Sequence, residues 1–170
     1  MQGIAEFHKV SFDRFLTDSK ACGFITDETP VEIVKTIWDG IKCPKRATVG
    51  SAGYDFYSPF PFCLRDGGKV VVPTGIRVDM QPGWCLLLMP RSSYGFNAGM
   101  RLANTVGLVD ADFFYADNEG HIFVKLVTET TISVQEGERF VQGIFVPHGL
   151  TRSDSTNGIR TGGFGSTGEF

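Results

Sequence analysis

Lys69-Val70-Val71-Val72-Pro73-Thr74-Gly75-Ile76-Arg77-Val78-Asp79-Met80-Gln81-Pro82-Gly83 is the stretch that decides the fold class. Two short apolar runs, Lys69 to Val72 and Gly75 to Val78, are each closed by turn formers, first Pro73-Thr74 and then Gln81-Pro82-Gly83. Apolar runs cut this short by Pro and Gly predict strands joined by tight turns. The same punctuation continues outward. Tyr54 to Tyr57 lies upstream, beyond Asp66-Gly67-Gly68, and Cys85 to Met89, Gly107 to Val109, Ile122 to Val127, Thr131 to Val134 and Arg139 to Val146 follow downstream. With 21 glycines and 8 prolines in 170 residues, this spacing predicts an all-β body, a compact barrel or sandwich.

The first 44 residues read differently. Thr29-Pro30-Val31-Glu32 has the form of a helix start, with Thr as N-cap and Pro at the first helical position. Ile33, Val34, Ile37 and Trp38 then supply an apolar stripe, and Gly40 can end the helix. A shorter helix is predicted from Ser11, burying Phe12, Phe15 and Leu16. A 3.6-residue apolar period most simply means a buried face, so this extension is expected to pack on the body. The organisation predicted is a helical extension over 1–44, a β body over 45–147, and a Gly-rich, polar, flexible arm over 148–170.

Composition narrows the function classes. A formal net charge of −3 argues against a nucleic-acid coat or an anionic-membrane binder, while leaving room for a small anion held by local arginines. No segment approaches the roughly 18 apolar residues of a membrane span, and Met1 to Val10 lacks a secretion signal's apolar core. Cys22, Cys43, Cys63 and Cys85 form no C-x-x-C pair and have no ligand-like spacing with His8, His121 or His148. They are expected to be buried or half-buried free thiols of a cytoplasmic protein.

Five segments carry candidate chemistry: Ser51-Ala52-Gly53-Tyr54-Asp55-Phe56, Pro90-Arg91-Ser92-Ser93-Tyr94-Gly95, Asn104-Thr105-Val106-Gly107-Leu108-Val109-Asp110-Ala111-Asp112-Phe113, Glu136-Gly137-Glu138-Arg139-Phe140-Val141-Gln142, and Arg160-Thr161-Gly162-Gly163-Phe164-Gly165-Ser166-Thr167-Gly168. Asp110 ends an apolar run and, by strand alternation, shares a face with Val106 and Leu108. A carboxylate there is a candidate general base, although Asp110 taken alone reads more simply as a turn aspartate. Gly107 lets a ligand or a second backbone approach closely. Guanidinium forks such as that of Arg91 bind phosphate oxygens in pairs, and the Ser92 and Ser93 hydroxyls can donate to others. Gly163-Phe164-Gly165-Ser166-Thr167-Gly168 matches the G-x-G-x-x-G dinucleotide pattern formally. That pattern needs a following helix and an acidic residue about 20 positions on, and the sequence stops two residues later.

In order and spacing these segments resemble the five motifs of the trimeric dUTPase family, over residues 45 to 170. The resemblance implies a dUTPase-like, jelly-roll-like β-barrel that cuts dUTP to dUMP and pyrophosphate with Mg²⁺. It makes Asp110 the base that activates water for attack on the α-phosphorus. Asn104 and the Gly107 hairpin would bind uracil, and Phe113, where the family usually has Tyr, would pack on the deoxyribose. Arg91, Ser92, Ser93 and Gln142 would serve the phosphates. The arm would close over the nucleotide, with Phe164 stacked on uracil, Gly165 beside it, and Arg160, Ser166 and Thr167 on the outer phosphates, although Arg160 lies one position closer to Phe164 than in many members. Asp55 would contact Mg²⁺ through water, or merely pair with an arginine. Assembly would be a homotrimer: motifs one, two and four from one chain, motif three from a second, the arm from a third. Phe114 to Asn118 departs from the family pattern as an insertion expected to lengthen a surface loop. A dCTP deaminase shares the implied fold, but its catalytic glutamate position corresponds here to Lys125. A nucleotide sensor on the same body is a further reading.

Overall fold

The computed structural model describes residues 3–158, 160 and 162. Along the chain run β1 (Ala5–Lys9), α1 (Phe12–Ala21), α2 (Val31–Gly40), β2 (Lys45–Arg46), β3 (Tyr54–Tyr57), β4 (Phe62–Leu64), β5 (Lys69–Pro73), β6 (Ile76–Met80) and β7 (Trp84–Pro90). They are followed by α3 (Ser92–Ala98), β8 (Arg101–Leu102), β9 (Gly107–Asp110), a 3₁₀ turn (Ala111–Tyr115), β10 (Phe123–Val127), β11 (Ile132–Val134) and β12 (Arg139–Pro147). The body is all-β. Its ladders form four sheets rather than one closed ring: β2-β3-β12-β7-β9, β5-β10-β8, β1-β6 and β11-β4.

Alternation along the strands builds the core. Phe56, Val72, Leu86, Val124, Leu126 and Phe140 are fully buried between the sheets. Complete burial of one such side chain is worth about 1.5–3 kcal/mol. Pro73 and Thr74 do not close a hairpin; they carry the chain from β5, which pairs with β10, to β6, which pairs with β1. The Thr74 hydroxyl fixes this crossing by donating to the Ile122 carbonyl at 2.7 Å.

The segment before residue 45 holds a strand as well as helices. β1 pairs antiparallel with β6, Phe7 opposite Val78. Its sequence, Ala-Glu-Phe-His-Lys, has no apolar run, so the strand exists because the β6 edge was open to pair. Helix α1 starts at the expected place: the Ser11 hydroxyl accepts from the Arg14 N–H at 3.1 Å, and Phe15 is fully buried while Phe12 and Leu16 are half-buried. Helix α2 begins one residue late. Pro30 stands at its N-cap, and the Thr29 hydroxyl accepts instead from the Thr26 N–H at 2.9 Å. Of its expected stripe, Val34 is buried and Ile33 is 51% exposed. Trp38 anchors α2: its indole N–H donates to the Val10 carbonyl at 3.0 Å, and Lys9 and Lys35 lie 4.1 and 4.0 Å from its ring.

His121 ties α1 to the body. The Gly75 N–H donates to Nε2 at 2.8 Å, so the ring proton is on Nδ1, 2.6 Å from Asp18 Oδ2. Burial pulls the His121 pKa below its ordinary value, and Asp18 offsets part of this. Cys63 departs from expectation: it is exposed, because it alternates outward between Phe62 and Leu64 on β4, which pairs with β11. Among the described residues, no helix is long and apolar enough to cross a membrane.

Candidate active site

Two separate groups of the expected residues are assembled in one chain. The first lies where β3, β12 and the end of β7 meet. Asp55 is buried on β3, directly opposite Gln142 of β12. Arg91 Nε lies 3.0 Å from Asp55 Oδ1, and Arg139 Nη1 lies 3.0 Å from Oδ2. Gln142 donates from Nε2 to the Pro90 carbonyl at 3.3 Å. Ser92 and Ser93 follow, exposed, in the first turn of α3. This seven-residue helix was not evident in the sequence, since Ser-Ser-Tyr-Gly contains weak helix formers.

A tyrosine–glutamate pair that carried no sequence signal fixes α3. The Tyr94 hydroxyl donates to Glu138 Oε1 at 2.5 Å, and the Gln135 N–H donates to Oε2 at 2.9 Å. Burial, then the Glu138 hydrogen bond, push the Tyr94 pKa up, whereas the Gln135 N–H and then Tyr94 hold Glu138 below the usual carboxylate range. The pair joins the two motifs that supply Arg91 and Arg139.

The second group surrounds β9. Asp110 is half-buried and stands opposite Cys85 of β7. Arg160 ion-pairs with Asp110 and, through Nε at 2.9 Å, with Asp112. Phe113 is only 5% exposed, and the Arg160 guanidinium lies 5.8 Å from its ring centroid. Next to these residues a cleft of about 450 Å³ opens, lined by Asn104, Gly107, Leu108, Leu102, Phe123 and Lys125, among others. Gly107 is closely packed by the protein itself: a Cβ there would lie 3.1 Å from Leu88 Cβ and 3.2 Å from Leu102 Cδ2, so those side chains would have to give way. Val106 and Leu108, on the Asp110 face, are 42% and 57% exposed, so the apolar side of this hairpin points outward from the single chain.

The two groups are far apart. Cys85 faces Asp110 and Arg91 is six residues further along, a separation of about 20 Å at the rise of an extended strand. Phe164, Gly165, Ser166 and Thr167 lie outside the described residues.

A model of the dUTPase family matches residues 39–168. The chain belongs to the dUTPase family. Its enzyme class is that of the dUTP diphosphatases. A deoxyuridine 5'-triphosphate nucleotidohydrolase of Lactococcus lactis is 40% identical over 134 residues, covering 76% of this chain and 89% of the relative. The crystal structure of the Streptococcus mutans dUTPase superposes with a TM-score of 0.60 at 40% identity, over 65% of this chain and 89% of that one. A mutant dUTPase from phage phi11 of S. aureus, described with a structural Mg(II) ion, shares the fold at a TM-score of 0.58 and 18% identity, over 69% of this chain and 91% of that one. The deaminase reading falls with this assignment, and Lys125 lines the cleft.

Proposed function

We propose that the enzyme hydrolyses dUTP to dUMP and pyrophosphate at sites that need more than one copy of the chain. The 20 Å or so between Asp110 and Arg91 along β7 carries this reading. A base and a phosphate-binding arginine serving one triphosphate must converge within a few ångströms of it, and one chain holds them apart. A homotrimer with sites at subunit boundaries brings the Asp55–Arg91–Arg139 group of one copy to the β9 hairpin of the next. The exposed Val106 and Leu108 favour the same arrangement, and closed symmetry makes all three sites equivalent.

At such a site Asp110 takes a proton from water as the oxygen attacks the α-phosphorus. Arg91, Ser92, Ser93 and Gln142 bind phosphate oxygens. Asp55 orients Arg91 and Arg139. Its pairing with both guanidiniums supports the arginine-partner role, and a water-mediated contact to Mg²⁺ would use the lone pairs left on the same oxygens. Mg²⁺ would be borne by the triphosphate oxygens and would neutralise their charge. Asn104 and the hairpin around Gly107 read the uracil edge from the cleft. Phe113 backs the sugar once Arg160 exchanges the carboxylates for a phosphate. Phe164, Gly165, Ser166 and Thr167 close over the nucleotide and exclude water.

Pyrophosphate release from dUTP, compared with UTP, dTTP and dCTP, tests the specificity, and hydrolysis of UTP at the dUTP rate would contradict it. Asp110→Asn should abolish turnover while preserving dUTP binding, and a fully active variant would remove Asp110 from the mechanism.

A further inference from the structure

The two segments that depart from the family pattern, the helical stretch and residues 114–118, are docked on one another beside the candidate base. Glu119 accepts from the Ser11 N–H at 2.8 Å and from the Ser11 hydroxyl at 2.6 Å, at the start of α1. Arg14 donates to the Asp117 carbonyl at 3.3 Å. Arg77, reaching from β6, stacks its guanidinium 3.6 Å from the Phe114 ring centroid and donates to the Phe114 carbonyl at 2.6 Å. Its other nitrogen Nη1 lies 3.9 Å from Glu119. The turn is closed from behind by Gly120, at φ +68, where a Cβ would lie 2.6 Å from the Phe113 carbonyl oxygen. Phe114 directly follows Phe113, and the 3₁₀ turn it belongs to begins at the residue after Asp110.

A five-residue 3₁₀ turn has few hydrogen bonds of its own and takes its position from what it packs on. We propose that Arg77 is a positioning residue for the reaction: stacked on Phe114 and braced by Glu119, it fixes the turn that follows directly on Asp110 and carries Asp112 and Phe113 against the nucleotide. The helical stretch contributes through Ser11, which holds Glu119 in place. Arginine suits the task because one planar group stacks, donates and ion-pairs at once, which a lysine ammonium does not do. The inference rests on the proposed roles of Asp110 and Phe113.

The test uses the full-length enzyme with Arg77→Met and Glu119→Gln, measuring kcat and KM for dUTP and UTP alongside thermal melting. A loosened turn misplaces the base, so kcat for dUTP should fall about 10-fold in Arg77→Met with KM changed less than about 2-fold. The dUTP to UTP ratio of kcat/KM should also fall about 10-fold, a change that lost stability alone does not produce. Glu119→Gln should move both readouts in the same direction by about 3-fold, and decides the matter if Arg77→Met does not fold. Wild-type kcat and selectivity in the folded variants, even with lowered melting temperatures, would overturn the proposal. Retained turnover in Asp110→Asn would instead overturn the reading of the site on which it rests.

Discussion

Arg91 and Asp55 form an ion pair at 3.0 Å in which the carboxylate is buried and the guanidinium is half-buried, with Arg139 on the second carboxylate oxygen. The aspartate therefore acts as the support of the arginine group. Asp55→Ala should lower stability by about 1–3 kcal/mol in urea denaturation, because two charged donors lose their acceptor. It should also raise KM for dUTP, since Arg91 is no longer oriented. Unchanged KM would separate Asp55 from the phosphate site.

Gly107 is a packing position before it is a ligand position. Gly107→Val would press methyl groups onto Leu88 and Leu102, whose nearest atoms lie 3.1 and 3.2 Å from the new Cβ. Overpacking of this kind costs about 1–3 kcal/mol. A reduced midpoint with an unchanged m-value is expected, together with loss of dUTP binding at the adjoining cleft. Wild-type stability would show that the hairpin can give way.

The buried His121 makes stability pH-dependent. Its pKa is lowered in the fold, so below the unfolded value of about 6.5 the unfolded chain binds a proton that the folded chain does not. Stability from this group is complete above that pH and is lost as pH falls from about 6.5 toward the folded pKa. Melting temperatures measured between about pH 8 and about pH 5.5 should decline on the acid side, and His121→Gln should flatten that part of the profile. A wild-type profile no steeper than the variant's would exclude the histidine as the source.

Deleting residues 160–170 removes the Arg160 contacts to Asp110 and Asp112, which are largely surface ion pairs. Such pairs are worth about 0–1 kcal/mol, so the melting temperature should barely change. Turnover should nevertheless fall about 100-fold or more, because the segment proposed to enclose the nucleotide is lost. Full activity of the truncated enzyme would contradict the role given to the arm.

Much of the body was legible because its strands are bounded by Pro and Gly. β3, β5, β6, β7 and β12 lie within a residue or two of the predicted positions. β1 was not, because Glu6 and His8 interrupt any apolar run and only the free edge of β6 makes the strand. α3 escaped for a similar reason: the Tyr94 to Glu138 hydrogen bond spans 44 residues and leaves no local pattern. The chemical types at the site could be read residue by residue. Their distribution was an expectation from the family resemblance alone, since the distance from Asp110 to Arg91 depends on the register that sets Cys85 opposite Asp110. The docking of residues 114–119 on α1 likewise rests on contacts more than 100 positions apart.

Subunit complementation is the most direct measurement of whether the site is shared. Asp110→Asn and Arg91→Ala proteins, each inactive alone, are unfolded, mixed in equal amounts and refolded. If base and arginine come from different copies, about a quarter of the sites in random trimers, half times half, pair an intact Asp110 with an intact Arg91. Turnover near that fraction of wild type is expected. Mixtures as inactive as their parents, with mixed trimers confirmed by mass, would mean that Asp110 and Arg91 serve one site within a single chain or do not act together.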